Sequence, residues 1–231
     1  VAGAELDTAP VCFFWSAING KWLCATAGKI FVYGTLWTEV TTTGVSGVIE
    51  FDEFNGYIFA ARGTGAAYAH SADGLTWTES NLTDNHANGF FSAPNAAGTA
   101  NVLWKSGTSE ATDTKINELK SNSSGINGGE QWASASYIGD TAADITNIFL
   151  VNDNLMIGKK DNLFNYDANG GIHPLMDDLK TSVSTRNFKY VAPWQSAVYF
   201  SRGNGLGEIT SYNTFASVGA LEKTIDIGKV W

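Results

Sequence analysis

Four cations recur at one place in the sequence pattern. Phe59-Ala-Ala-Arg62, Leu103-Trp-Lys105, Met156-Ile-Gly-Lys159 and Tyr199-Phe-Ser-Arg202 each close an apolar, strand-like run on a long basic side chain. If those runs end on one rim, Arg62, Lys105, Lys159 and Arg202 form a basic ring that holds an anion or a carboxylate-bearing sugar. The plainer reading is that strand ends are exposed and that long cations are comfortable there. The matching position of the first run is Ala27, which breaks the pattern.

Other chemistry-bearing residues are scattered. Glu50, Asp52 and Glu53 cluster, as do Asp177 and Asp178, and both clusters read as solvated turns. A glycosidase pair is defined by a separation of about 5–9 Å in space, which sequence does not locate. His70, His86 and His173 stand alone, without zinc-ligand spacing. Asp167-Ala-Asn169-Gly170-Gly171 is similar to the opening of a calcium loop but lacks its later acidic ligand, so a tight Asx turn is expected. Gly203-Asn-Gly205-Leu-Gly207 lies between strand-like runs with no helix after it, unlike a dinucleotide fingerprint. No catalytic residue, metal or cofactor is therefore assigned. Trp15, Trp22 and Trp194 lie near turns and are candidates for stacking on sugar rings, against the alternative that they pack the fold.

Composition narrows the partners. The chain has 231 residues, 44% hydrophobic and 16% charged, with a net charge of −9. That balance argues against nucleic acid and anionic membrane surfaces. The longest apolar runs, such as Val11–Trp15 and Ile148–Val151, fall far short of the roughly 20 residues that cross a bilayer as a helix, so no membrane insertion is expected. The chain opens on Val1 without a basic-then-apolar leader and closes on the strand-like Gly228-Lys-Val-Trp231, reading as a mature form or a piece of a longer chain. Asn81-Leu-Thr83 and Asn122-Ser-Ser124 match the short glycosylation pattern.

The elements that must position these residues are strands. With 25 glycines, four prolines and 13% aromatics, the sequence predicts many short strands joined by tight turns and little helix beyond a turn or two in residues 177–184. Five segments share one pattern of two hairpins: residues 9–47, 48–89, 90–144, 145–187 and 188–228. Turns are expected at Asn19-Gly20, Gly34-Thr35, Asn55-Gly56, Asp73-Gly74 and Asn152-Asp153. In the fifth segment the last two strands are expected at Glu208–Tyr212 and Leu221–Ile227. A two-residue turn at Asn19-Gly20 makes Cys24 face Trp15 and Cys12 face Ala27, so the two cysteines fall on opposite faces and stay as buried thiols. Trp37, Trp77 and Trp132 take equivalent places, which repeats a four-stranded unit about every 40–50 residues. The fold class is all-β, a propeller of about five four-stranded blades, standing as a whole ring or as part of a larger one. A β-sandwich is the alternative.

One stretch carries a family likeness. Ser71-Ala-Asp73-Gly74-Leu-Thr76-Trp77 resembles the Asp-box hairpin of sialidase-like β-propellers, Ser-x-Asp-x-Gly-x-Thr-Trp, with one residue fewer between Asp and Gly. In that family the box is a structural staple at the blade edge, so Ser71, Asp73, Gly74, Thr76 and Trp77 are expected to be structural. Sialidase activity needs three arginines on the substrate carboxylate, a tyrosine nucleophile with a nearby glutamate, and an acid aspartate. The chain has only Arg62, Arg186 and Arg202 and lacks the early Arg-Asp pair that opens the pattern. The blade texture resembles propellers of phage virion and tail proteins and of large bacterial surface proteins. The resemblance implies a non-enzymatic structural or recognition module, extracellular or virion-associated, whose partners are other protein subunits or surface glycans. A carbohydrate-binding propeller lectin and a degenerate sialidase-like glycoside hydrolase are the alternatives.

Overall fold

A computed structural model describes residues 6–40, 44–83, 85–107, 116–126, 130–176, 183–195, 197–203, 205–211 and 214–217. They form five four-stranded antiparallel sheets, each a simple meander, the blades of an all-β five-bladed propeller. The first blade is β1 (Cys12–Ser16), β2 (Lys21–Ala25), β3 (Ile30–Tyr33) and β4 (Trp37–Glu39). The second is β5 (Glu50–Phe54), β6 (Tyr57–Ala61), β7 (Ala69–Ser71) and β8 (Thr78–Glu79). The third is β9 (Gly89–Pro94), β10 (Asn101–Ser106), β11 (Glu118–Asn122) and β12 (Ser136–Tyr137). The fourth is β13 (Ile145–Val151), β14 (Asn154–Lys159), β15 (Leu163–Tyr166) and β16 (Ile172–Pro174). The fifth is β17 (Val191–Trp194), β18 (Ala197–Arg202), β19 (Gly205–Ser211) and β20 (Thr214–Ser217). No helix occurs among the described residues.

The first hairpins turn where backbone chemistry permits. Asn55-Gly56 (φ 49° and 85°) and Asn152-Asp153 (φ 47° and 63°) have both central residues at positive φ, the condition for a tight primed turn that matches strand twist. The chain divides into two compact units: Val1–Ser92 with Val102–Ser136, and Ala93–Asn101 with Tyr137–Trp231.

In the first unit, Leu23, Ala25 and Val32 of the first blade pack on Phe51, Ile58, Ala60 and Trp77 of the second. The other face of the second blade, through Phe59 and Ala61, packs with Tyr68 on Phe90 and Leu103. Alternation along each strand is what frees one set of side chains for each neighbour. In the second unit, Met156 and Leu163 meet Phe188, Val198, Phe200 and Ile209. Gly158 permits that approach, since a Cβ there would lie 2.4 Å from Cβ of Phe188.

Several expectations are corrected. The first hairpin pairs Cys12 with Ala25 and Phe13 with Cys24, because its loop runs through residues 17–20 with the Gly20 N–H donating to the Ser16 carbonyl at 2.9 Å. The cysteines still occupy opposite faces and no disulfide joins them, but Cys12 is only half-buried. Asp73-Gly74 is not a two-residue turn; residues 72–77 separate β7 from β8. Glu50, Asp52 and Glu53 lie on strand β5 rather than in a turn. In the fifth blade β19 turns straight back into β20 at Thr214–Ser217, so the fourth strand comes sooner than expected. The proposed strand Leu221–Ile227, Asp177 and Asp178 lie outside the described residues, as does most of the helical turn expected in residues 177–184.

Candidate functional site

The cations at the ends of second strands are mostly interior. Arg62, Lys105 and Lys159 are at most 8% exposed, and Arg202 at the end of β18 is half-buried. Arg62 donates from Nε to the Ser46 carbonyl at 2.7 Å and from Nη1 to the Ala67 carbonyl at 2.8 Å, and it pairs with Glu79. Lys159 donates to the carbonyls of Ile138 at 3.0 Å and Asp140 at 2.7 Å, above the ring of Phe164. Burial holds its ammonium below the ordinary lysine value, with Asp161 and Asp140 opposing. The expectation that these strand ends are exposed is therefore corrected for three of the four: the chain's own loops close over them.

Lys105 belongs to a network that the sequence does not reveal. Its Nζ lies 5.0 Å from the centre of the Trp132 ring and 5.7 Å from that of Tyr68. Trp132 Nε1 donates to the Tyr68 hydroxyl at 2.8 Å, Tyr68 donates to Glu130, and Ser80 donates to the other oxygen of Glu130 at 3.2 Å. Burial first, then the charge of Glu130, holds the phenol well above its ordinary value and so protonated. Trp132 thus serves Tyr68 and does not repeat the role of Trp77.

The Ser71–Trp77 loop is organised by side chains. Asp73 Oδ1 accepts from the Leu75 and Thr76 N–H groups at 2.8 and 2.7 Å and from the Ser71 hydroxyl at 3.0 Å. Ser71 Oγ accepts from the Gly74 N–H at 2.8 Å. Trp77 Nε1 donates to the Gly74 carbonyl at 3.1 Å, so the indole braces the loop that precedes it. The backbone bonds, led by that from Thr76, hold the Asp73 carboxyl below its usual value. Asn122 builds a smaller version after β11: its Oδ1 accepts from Ser124 and Gly125 N–H at 2.9 and 2.8 Å. Asn122 is buried there, with its amide donating to the Gly125 carbonyl. Asp167 closes an Asx turn on Asn169 and Gly171, with His173 on its other oxygen at 2.8 Å. Among the described residues no three His, Cys, Asp or Glu side chains gather as metal ligands.

What remains open to a ligand is aromatic. Strand register puts Phe13, Trp15, Trp22, Cys24, Phe31, Tyr33 and Trp37 on one face of the first blade. Phe13, Trp15, Trp22 and Tyr33 are 40–54% exposed. Their rings form two groups: Trp15 and Trp22 meet edge-to-face at 5.5 Å, and Trp37 lies 5.2 Å from Tyr33 and 5.9 Å from Phe13. Cys24 and Phe31 are buried on the same face, and burial, with Asp7 adding, pushes the Cys24 thiol up to about 11. Trp194, 65% exposed at the end of β17, stands in the other unit. The sequence named Trp15, Trp22 and Trp194 but missed Phe13 and Tyr33, although alternation along β1 alone puts Phe13 on the face of Trp15.

No family model matches the sequence, and no curated protein is similar to it. Solved structures are similar in fold. The extracellular domain of a one-component system from B. thetaiotaomicron aligns over 94% of this chain and 28% of that chain, with 14% identity and a TM-score of 0.66. Virginiamycin B lyase from Staphylococcus aureus aligns over 94% of this chain and 71% of its own, with 16% identity and a TM-score of 0.65. A streptogramin B lyase aligns over 90% of this chain and 67% of its own, with 20% identity and a TM-score of 0.58. At these identities the likeness is one of fold.

Proposed function

We propose that the chain is a non-enzymatic recognition or structural module of an extracellular or virion-associated protein, working through the aromatic face of its first blade. The observation that carries this reading is a contrast in exposure. Phe13, Trp15, Trp22 and Tyr33 lie open together, while Arg62, Lys105, Lys159 and Tyr68 are buried and engaged by protein groups. A partly exposed aromatic cluster is a poor use of surface unless something covers it. The turn built on Asp73 supports the sialidase-like Asp-box assignment as a structural staple. The Tyr68–Glu130 couple has the composition of a sialidase nucleophile, but a buried phenol held protonated attacks poorly. Arg62, one of only three arginines, is already bound to two carbonyls and Glu79. The extracellular setting of the B. thetaiotaomicron domain is consistent with this placement.

A second reading is a propeller lectin, favoured by the Trp15–Trp22 edge pair and the bare Trp194. A glycan array read alongside hydrolysis of a fluorogenic sialoside tests both. The module reading expects no turnover. Hydrolysis that disappears in Arg62→Ala and Arg202→Ala overturns it, and glycan binding abolished by Trp15→Ser selects the lectin.

A further inference from the structure

We propose that the outer hairpin of the fourth blade binds a divalent metal ion of the zinc type, with His173, Asp167 and Asn165 as its donors. This goes beyond the recognition reading and stands on one hairpin, β15 with β16. Register sets the arrangement. Asn165 lies directly opposite His173, and Asp167 follows Asn165 by two residues, so all three share one face. Directly opposed residues have Cβ atoms about 4.5–5.5 Å apart, close enough for their side chains to meet one ion. Asp167 Oδ1 is taken by the Asn169 and Gly171 N–H groups at 2.8 and 2.9 Å. Those bonds fix the carboxylate and leave Oδ2 on His173 Nε2, 2.8 Å away. A carboxylate anchored by one oxygen and offered by the other is what a metal ligand needs.

Two further observations separate a ligand site from a plain turn brace. Asn165 is 3% exposed, yet its Oδ1 has no hydrogen-bond partner. A buried acceptor left unpaired is a cost that a bound cation removes. Gly171 is the second. Its φ is not positive, so the turn does not demand glycine there, but an added Cβ would lie 2.5 Å from Asp167 Oδ2 and 2.7 Å from His173 Nε2. The missing side chain keeps the space beside both donors clear. Zinc holds nitrogen and oxygen at about 2.0–2.2 Å, so two donors of a tetrahedral set lie roughly 3.3 Å apart and the pair need open by only about half an ångström. His173 is exposed, and its ring has room to turn. The donor set selects the ion. An imidazole nitrogen beside a carboxylate and an amide oxygen suits zinc and its neighbours, whereas calcium takes oxygens alone. An amide stands where a third His, Cys, Asp or Glu would complete the commoner set. Three protein donors leave the fourth position to water.

Equilibrium dialysis of the full 231-residue chain against Zn²⁺ tests this, with Ca²⁺ as competitor. Zinc should bind and calcium should not displace it. His173→Gln and Asp167→Asn should each weaken binding at least about tenfold. His173 is exposed, and Asp167→Asn keeps an oxygen for the Asn169 and Gly171 N–H groups, so both variants should fold. His86→Gln, which removes a histidine elsewhere, should leave binding unchanged. Asn165→Ala should weaken it as well. Gly171→Ala, which leaves every donor in place but fills the space beside them, should do the same and serves if Asn165→Ala does not fold. A chain that takes up no zinc overturns the proposal. So does zinc binding that is indifferent to His173→Gln, or that survives unchanged in folded Asn165→Ala or Gly171→Ala.

Discussion

The side-chain amide of Asn19, in the first hairpin turn of the first blade, donates to the main-chain carbonyl of Asp73 at 3.0 Å, in the last hairpin loop of the second. The same bond recurs from Asn55 to the Ser124 carbonyl at 2.8 Å and from Asn152 to the Thr210 carbonyl at 3.3 Å. Each joins a blade's first turn to the following blade's third-strand end, within one unit. The turn asparagine thus does two jobs: Asn55 and Asn152 tolerate the positive φ of the turn, and all three reach the next blade.

These bonds are exposed, so each is worth about 0.5–1.5 kcal/mol. Asn55→Gly keeps the positive φ of the turn and removes the side-chain amide. It should lower the denaturation midpoint by an amount in that range without changing the slope of the transition. Urea unfolding measures it, and an unchanged midpoint would show the bond to be idle.

Gly74 sits beneath Asn19. Its φ is +72°, and an added Cβ would lie 2.7 Å from the Asn19 amide nitrogen. Gly74→Ala should cost about 1–2 kcal/mol from the left-handed backbone alone. In an Asn19→Ala background the steric part should vanish, leaving a smaller penalty. A double-mutant cycle by thermal unfolding checks the coupling, and additivity would contradict it.

Lys159 offers a harsher test. Lys159→Met keeps the stem but strips the donors from the carbonyls of Ile138 and Asp140. Leaving the buried Ile138 carbonyl unpaired costs about 1–3 kcal/mol, and the carbonyl of the exposed Asp140 adds less. The variant should unfold markedly earlier than Lys160→Met, since Lys160 is less buried and pairs with Asp144. Equal effects would mean that Lys159 is not held as described.

Asp52 gives the pH dependence. Its carboxyl accepts from the Ser92 and Glu53 N–H groups, yet burial, aided by Glu50 and Glu53, pushes it from 3.8 to about 7. The folded chain therefore holds a proton between those values that the unfolded chain releases, and stability falls as pH rises through that window. Asp52→Asn should gain on the parent between pH 4 and 7 and hold a constant lead above. Thermal midpoints of both across this range decide it; a constant difference would contradict the assignment.

The blades were legible because their turns are local. Asn55-Gly56 and Asn152-Asp153 announce themselves through residue types that accept positive φ, and two hairpins per segment follow. Asn19-Gly20 misled because Ser16 and Glu53 capture the loop. Glu53 accepts from the Ser16 hydroxyl and the Ala17 N–H at 2.9 Å each, which fixes a longer loop and shifts the register by two. That shift sets Trp22 directly opposite Trp15 in place of Cys24, but being even it leaves both on one face. The cations were legible as a recurring position but not as buried groups, because their partners are loop carbonyls and rings distant in sequence. Trp132 looked like Trp77 by position alone; its actual partner, Tyr68, is 64 residues away.

Oxidative footprinting of the chain tests the central contrast most directly, since it reports side-chain exposure residue by residue. Trp15, Trp22 and Phe13 should be modified far faster than Trp77 and Tyr68 under native conditions. Protection of Trp15 and Trp22 equal to that of Trp77 would contradict an open aromatic face, and the recognition role assigned to it would go as well.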